Sequence, residues 1–124
     1  MKINPIISIF LIALIIIVSG CGKNKEFKKD VANIADAMCK NIEIMNKLKA
    51  ANPQDSIVLN GLQLKAHNVQ TEMTILYTAF RQKYGNKLKD SIFNKDFANE
   101  LRKAMLSCQY LSKDDRDRFE KEIK

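Results

Sequence analysis

The sequence predicts an all-α fold, in which two long helices form an antiparallel hairpin and one or two shorter helices close it into a three- to four-helix bundle. Three observations support this prediction. The 124 residues include only four glycines and two prolines, the residues that disfavour helix interiors most. Apolar residues recur in steps of three and four, which places them on one face of a helix. The breaks between these segments are short, so consecutive helices should pack as antiparallel neighbours.

The first predicted helix runs from about Glu26 to Ala51. Its apolar side chains form one stripe, which indicates burial against other helices. The stripe consists of Phe27, Val31, Ile34, Ala35, Met38, Ile42, Met45 and Leu48. We expect this helix to end before Pro53, because proline has no amide hydrogen and cannot continue a helix.

The second predicted helix runs from Pro53 to Tyr84, with Asn52 as its N-cap and Pro53 at the first helical position. Its apolar residues follow a heptad repeat, the spacing of a helix that packs lengthwise on another. We call these residues the heptad stripe: Leu59, Leu62, Ala66, Val69, Met73, Leu76 and Phe80.

Two shorter helices are predicted after a basic connector at residues 86–93. The third helix begins near Asn94 and ends near Tyr110. Its apolar face consists of Phe97, Leu101, Ala104, Met105 and Cys108. Ser112 and Asp115 have the spacing of a capping box, which predicts a fourth helix that starts after Ser112 and ends near Ile123.

The first 21 residues have the three parts of a secretory signal, namely a basic start, a short apolar core and small residues before a cut. Lys2 supplies the charge, and Ile6–Val18 supplies the apolar core. This run is too short for a membrane-spanning helix, which needs ~20 residues. The segment then ends in Val18-Ser19-Gly20-Cys21. This tetrapeptide resembles the lipobox of bacterial lipoproteins, which has an aliphatic residue, two small residues and a cysteine.

The resemblance implies a cleaved leader at residues 1–20 and a covalent lipid, including palmitate-type acyl chains, on Cys21. Four lysines make residues 21–29 a predicted basic tether, which is either a solvated linker or a contact to anionic head groups: Lys23, Lys25, Lys28 and Lys29. Residues 30–124 are the predicted helical domain. We expect the mature chain to be anchored in the cell envelope, outside the cytoplasm. Enteric lipoproteins that are retained in the inner membrane have aspartate directly after the cysteine. This chain has Gly22 at that position, and the absence of aspartate favours the outer membrane. An uncleaved anchor helix or an ordinary signal peptide would also place the chain outside the cytoplasm.

The cysteine count agrees with this localisation. If Cys21 carries lipid, Cys39 and Cys108 remain as a pair. Disulfides persist in oxidising compartments outside the cytoplasm, so we expect these two residues to be bonded. The alternative is two buried thiols that pack as small apolar groups.

Candidate catalytic and metal-binding residues are few. His67 is the only histidine, and one histidine without a nearby second ligand does not indicate a zinc site. Asp114, Asp115 and Asp117 lack the glycine turn and spacing of a calcium loop. The sequence therefore predicts no enzyme, no metal site and no cofactor other than the lipid on Cys21.

Basic residues give the one candidate binding surface in a chain with a formal net charge of +7. Arg81, Lys83, Lys87 and Lys89 are the predicted contacts. The leading hypothesis is a non-enzymatic helical module that binds a macromolecular or anionic partner; nucleic acid is not expected outside the cytoplasm. One alternative is a solvated charged face. The others are a structural subunit that pairs with a copy of itself through the heptad stripe, and a carrier that holds a lipid between its helices.

Overall fold

The structure is a computed structural model that describes the backbone of residues 5–123 and the side chains of residues 24–123. Its α-helices are α1 (Pro5–Ala50), α2 (Ser56–Tyr84), α3 (Ser91–Met105) and α4 (Lys113–Glu122), with a short 3-10 turn at Lys87–Lys89. The residues described contain no strand. The predicted all-α bundle is therefore confirmed. The predicted signal peptide and the side chain of Cys21 lie outside the described residues.

The core of the hairpin lies between the apolar stripes of α1 and α2. Val31 and Ile34 of α1 are buried in one cluster with Phe80 and Tyr84 of α2. Leu76, from the heptad stripe, packs against the same cluster. The heptad stripe is thus used inside the molecule, so pairing with another copy through that face would require the hairpin to open.

Five aromatic rings hold three helices together at one end of the bundle. The ring centroids of Phe27 and Tyr84 are 5.6 Å apart in an edge-to-face arrangement. Phe93 lies 5.3 Å from Phe27, and Phe97 lies 4.7 Å from Phe80. Offset and edge-to-face ring pairs of this kind stabilise beyond the area that they bury. Because Phe27 belongs to this cluster, the packed part of α1 begins before residue 30, the predicted start of the helical domain.

The first turn of α2 differs from the prediction. Asp55, and not Asn52, is the N-cap, because its carboxylate accepts a hydrogen bond from the amide of Val58 at 3.1 Å. The Asn52 side chain instead accepts from the amide of Gln54 at 3.0 Å. Asn52 therefore shapes the turn that follows α1, and Pro53 lies in that turn rather than in the helix.

The third helix is shifted toward the N-terminus relative to the prediction. Asp90 caps it by accepting a hydrogen bond from the amide of Ile92 at 2.8 Å. The helix ends at Met105 because the next residues turn toward α4. The Arg116 guanidinium of α4 donates hydrogen bonds to the carbonyls of Leu106 and Cys108. These bonds satisfy carbonyl groups that a longer α3 would have satisfied by itself.

The start of α4 agrees with the prediction. The Ser112 hydroxyl accepts a hydrogen bond from the amide of Asp115 at 3.1 Å and donates to its carboxylate at 2.8 Å. Side-chain capping of this kind stabilises a helix N-terminus by about 1 kcal/mol.

The expected disulfide is present. Cys39 of α1 is bonded to Cys108, with the two Cα atoms 5.6 Å apart. Cys108 is buried in a second cluster with Ala35, Met105 and Leu111. The bond therefore ties α1 to the segment between α3 and α4, where that segment turns.

Reduction of the disulfide should destabilise the protein strongly. The bond joins residues separated by 69 positions in the chain, and the chain-entropy model gives a stabilisation of about 4 kcal/mol for a loop of this length. We expect urea unfolding with and without reductant to differ by roughly this amount. A double variant, Cys39→Ala with Cys108→Ala, serves as the control, since reductant should leave its unfolding midpoint unchanged. A difference under about 1 kcal/mol for the wild type would contradict this account.

Candidate functional site

The predicted binding residues lie at the end of the bundle nearest to Cys21. The antiparallel hairpin brings the end of α2 back beside the beginning of the described part of α1, as the contact between Phe27 and Tyr84 shows. Cys21 precedes Phe27 by six residues, which is about 9 Å along a helix. We call this end, which contains Phe27, Tyr84 and the turn at residues 85–90, the anchor end, after the lipid anchor that the sequence predicts on Cys21.

Lys83 is not a free cation at this surface. Its ammonium group donates to Asp30 Oδ2 at 2.7 Å and also bonds to Glu26. The hydrogen bonds from Lys83 to Asp30 and then to Glu26 raise the pKa of Lys83 above its ordinary value. Tyr84 donates its hydroxyl hydrogen to the same oxygen of Asp30 at 2.9 Å. These contacts join α2 to α1, and the role of Lys83 in binding a partner stays a prediction.

The other three predicted contacts remain exposed, and the fold adds further lysines to them. Exposed cations from α1 lie at the same end of the bundle as those from α2 and from the 3-10 turn. We call the combined set the basal cations: Lys25, Lys28, Lys29, Arg81, Lys87 and Lys89. The acidic groups among them are engaged, since Glu26 and Asp30 bind Lys83 and Asp90 caps α3. The basal cations together with Lys83 outnumber these three carboxylates, so the anchor end carries a net positive charge.

The sequence contained a signal for this larger set. More than 50 residues separate the lysines at 25–29, which the sequence predicts as part of a tether, from the basic residues at 81–89, which it predicts as a binding surface. An antiparallel hairpin necessarily brings these two segments together. The predicted hairpin should therefore have suggested a single basic surface.

A groove follows the seam between α1 and α2 farther from the anchor end. It has a volume of about 320 Å³, and both apolar and charged side chains line it, including Ile44 and Val69. Lys40 crosses the seam to Glu72 at 3.3 Å and also binds Asp36 at 3.1 Å. These charged contacts lie along the groove, where a lipid carrier would need an apolar enclosure. The groove therefore gives no specific support to the predicted carrier.

The described residues show no constellation that indicates catalysis. His67 is exposed on α2. No three histidine, cysteine, aspartate or glutamate side chains between residues 24 and 123 are grouped as metal ligands. In the same part of the chain, no helix combines the length and the apolar character that crossing a bilayer requires.

Comparison with known proteins identifies no relative. No protein-family model, curated protein or solved structure gives a significant match to the sequence.

The bond between Tyr84 and Asp30 should be measurable as a pH-dependent contribution to stability. Burial, followed by the hydrogen bond to Asp30, raises the pKa of Tyr84 above its ordinary value of 10.0. The raised pKa means that this stabilisation is complete below about pH 10 and is lost as the pH rises through the folded-state pKa. We expect Tyr84→Phe to lower the free energy of unfolding by about 1 kcal/mol at pH 7. The difference from wild type should shrink above about pH 10.

The control for this measurement is Tyr77→Phe, because Tyr77 is 49% exposed. The free energy of urea unfolding of this variant should equal that of the wild type both at pH 7 and above about pH 10. If Tyr84→Phe also unfolds like the wild type at pH 7, the hydrogen bond to Asp30 does not stabilise the anchor end.

Proposed function

We propose that the protein is a lipid-anchored, non-enzymatic module of the cell envelope, which binds the anionic head groups of its own membrane through the basal cations. The observation that supports this proposal is the return of α2 to the anchor end. It brings Arg81, Lys87 and Lys89 to the end of the bundle that carries the lipobox cysteine. The anionic partner of the predicted patch is then the membrane surface itself.

Distance and charge both favour this partner. Lys25 and Lys29 follow Cys21 by four and eight residues, or about 6 and 12 Å along a helix. The Debye length at physiological salt is about 8 Å, so Lys25 lies within one Debye length of a lipidated Cys21, whereas Lys29 lies beyond it and is more strongly screened. Each lysine or arginine close to an anionic surface contributes about 1 kcal/mol. This energy favours orientations that hold the basal cations against the head groups.

The lipid and the cations have separate roles in this proposal. Two or three acyl chains on Cys21 are enough to hold the protein stably on a membrane. The basal cations are not needed for anchoring, but they set how the bundle is oriented. Residues 21–50 span about 45 Å as a helix. An upright bundle would therefore present the beginning of α2 well away from the membrane. The membrane that we favour is the outer membrane, because Gly22 follows the lipobox cysteine.

The anchor itself can be tested with labelled palmitate. We expect cells that express the wild-type protein to incorporate the label into it, and we expect Cys21→Ser to abolish the incorporation, because the thiol is the proposed attachment site. Mass spectrometry of the purified wild type should also find a chain that begins at Cys21. Detection of an unlabelled product that retains Met1 would refute the proposed anchor.

The contact with head groups can be tested by lysine footprinting of the membrane-bound protein in vesicles. An acetylating reagent should modify Lys25, Lys87 and Lys89 about fivefold more slowly in vesicles rich in phosphatidylglycerol than in pure phosphatidylcholine. High salt should remove the difference, because it screens the attraction. Mass spectrometry gives the rate at each lysine.

Lys49 is an internal control in the same sample, because it is exposed at the opposite end of α1. Its rate should be the same in both kinds of vesicle. Equal rates at the basal lysines in anionic and neutral vesicles would rule out the head-group contact. The palmitate result would then still decide whether the anchor exists.

A further inference from the structure

The exposed side of α2 carries a second repeat, on the opposite face from the heptad stripe. Its members follow one another in steps of four and three along most of the helix. We call them the outer stripe: Ile57, Gly61, Leu64, Asn68, Thr71, Ile75, Thr78 and Gln82. All of them are exposed. The three aliphatic members, Ile57, Leu64 and Ile75, are 84%, 63% and 64% exposed.

The outer stripe is uncharged, although 28% of the residues in the chain are charged. The full chain has a net charge of +7, and the mature chain without Lys2 also keeps a positive net charge, so two copies repel each other overall. If two copies met through their outer stripes, no charged residue would lie within the contact, because every member of the stripe is uncharged. Of the charged residues beside it, Lys65 and Glu72 lie on one flank and carry opposite charges, and Arg81 lies on the other flank next to Gln82. The uncharged seam itself therefore opposes no like charges when two copies pair through it.

Two members of the outer stripe, Gly61 and Asn68, bear on what could pack against it. Gly61 lies inside the helix, where glycine is unfavourable, and a Cβ atom built on it would meet nothing within 4 Å. The single molecule thus has no steric need for this glycine, whereas a neighbouring helix could approach closely there. Asn68 lies between Leu64 and Ile75 in the repeat. An asparagine at such a position of a coiled coil specifies the register and favours two strands.

We infer that the outer stripe of α2 pairs with the outer stripe of a second copy as a parallel, in-register, two-stranded coiled coil. This inference rests on the proposed function, because lipids in one membrane hold both anchor ends at the same level. A parallel two-fold axis then places Leu64 against Leu64 and Asn68 against Asn68. An antiparallel pair would place the two anchor ends at opposite ends of the dimer, where they could not share one membrane.

The composition of the stripe fits a dimer that forms on a membrane rather than in dilute solution. Three aliphatic residues, two threonines and a glycine make a weak seam compared with a repeat of leucine and isoleucine. Anchoring confines both copies to a surface and aligns them, which raises their effective concentration.

Cysteine crosslinking of the lipid-modified protein in native membranes tests this arrangement. The design uses Leu64→Cys and, separately, Ile75→Cys, since the proposed two-fold axis makes each residue meet its own copy. Cys39 and Cys108 are bonded to each other, and the lipid would occupy Cys21, so the introduced thiol is the reactive one. Mild oxidation should convert most of either variant into a dimer that reductant dissociates. Gln63→Cys, exposed on another face of α2, should give at least about tenfold less dimer.

A charge in the seam provides the matched second variant. Leu64→Asp should reduce crosslinking through Ile75→Cys about tenfold, because it places two carboxylates face to face across the interface. Gln63→Asp should leave that crosslinking unchanged. Because Leu64 and Gln63 are exposed, neither change removes a core contact. A non-reducing peptide map that shows the Cys39–Cys108 bond verifies the fold of each variant.

Three outcomes would overturn the dimer. The first is no dimer at Leu64→Cys and Ile75→Cys in membrane-bound, labelled protein, which would leave the anchor intact. The second is equal dimer at Gln63→Cys, which would indicate random collision. The third is crosslinking only between Ile57→Cys and Ile75→Cys in mixed samples, which would indicate an antiparallel pair. A protein without palmitate label would refute the proposed function, and the parallel dimer with it.

Discussion

The contact of Phe27 with Phe80 and Tyr84 is the constraint on which the rest of the structure depends. It fixes the end of α2 beside the beginning of the bundle, and the rings of Phe93 and Phe97 add α3 to the same cluster. Around it, the carboxylate of Asp30 receives hydrogen bonds from Lys83 and Tyr84. An apolar ring cluster bordered by charged hydrogen bonds defines one alignment of α1 and α2. A shift of α2 along α1 by one helical turn would break the ring contacts and the hydrogen bonds to Asp30 together.

The disulfide fixes the other helices to the same α1. Cys39 lies eight residues beyond Val31, and its partner Cys108 lies in the turn that Arg116 holds by two carbonyl groups. The two core clusters are therefore stacked along α1, with the aromatic cluster at the anchor end and the disulfide farther away. This division explains why the early turns of α2 have few buried residues, since neither cluster reaches them. Val69 is the first buried residue of α2.

Charge is distributed unevenly over this frame. The basal cations are concentrated at the anchor end, whereas the exposed side of α2 is uncharged along the outer stripe. An exported protein anchored by lipid would meet anionic head groups at the first surface and neighbouring proteins at the second. The two proposals therefore use different surfaces of one molecule, and they are compatible because neither surface overlaps the heptad stripe in the core.

The sequence by itself determined the helices, because their apolar periodicity and capping residues are local properties of the chain. It also indicated the disulfide, since removing Cys21 from the count leaves one pair. Only the tertiary structure decided which cations are free. Lys83 resembles Lys87 in the sequence, but it faces Asp30 and Glu26, which lie 53 and 57 residues away. Only the tertiary structure also showed that the heptad stripe is half-buried to buried and the outer stripe exposed. The physical reason is that a repeat tells which residues share a helix face, whereas the packing of distant segments decides what that face contacts.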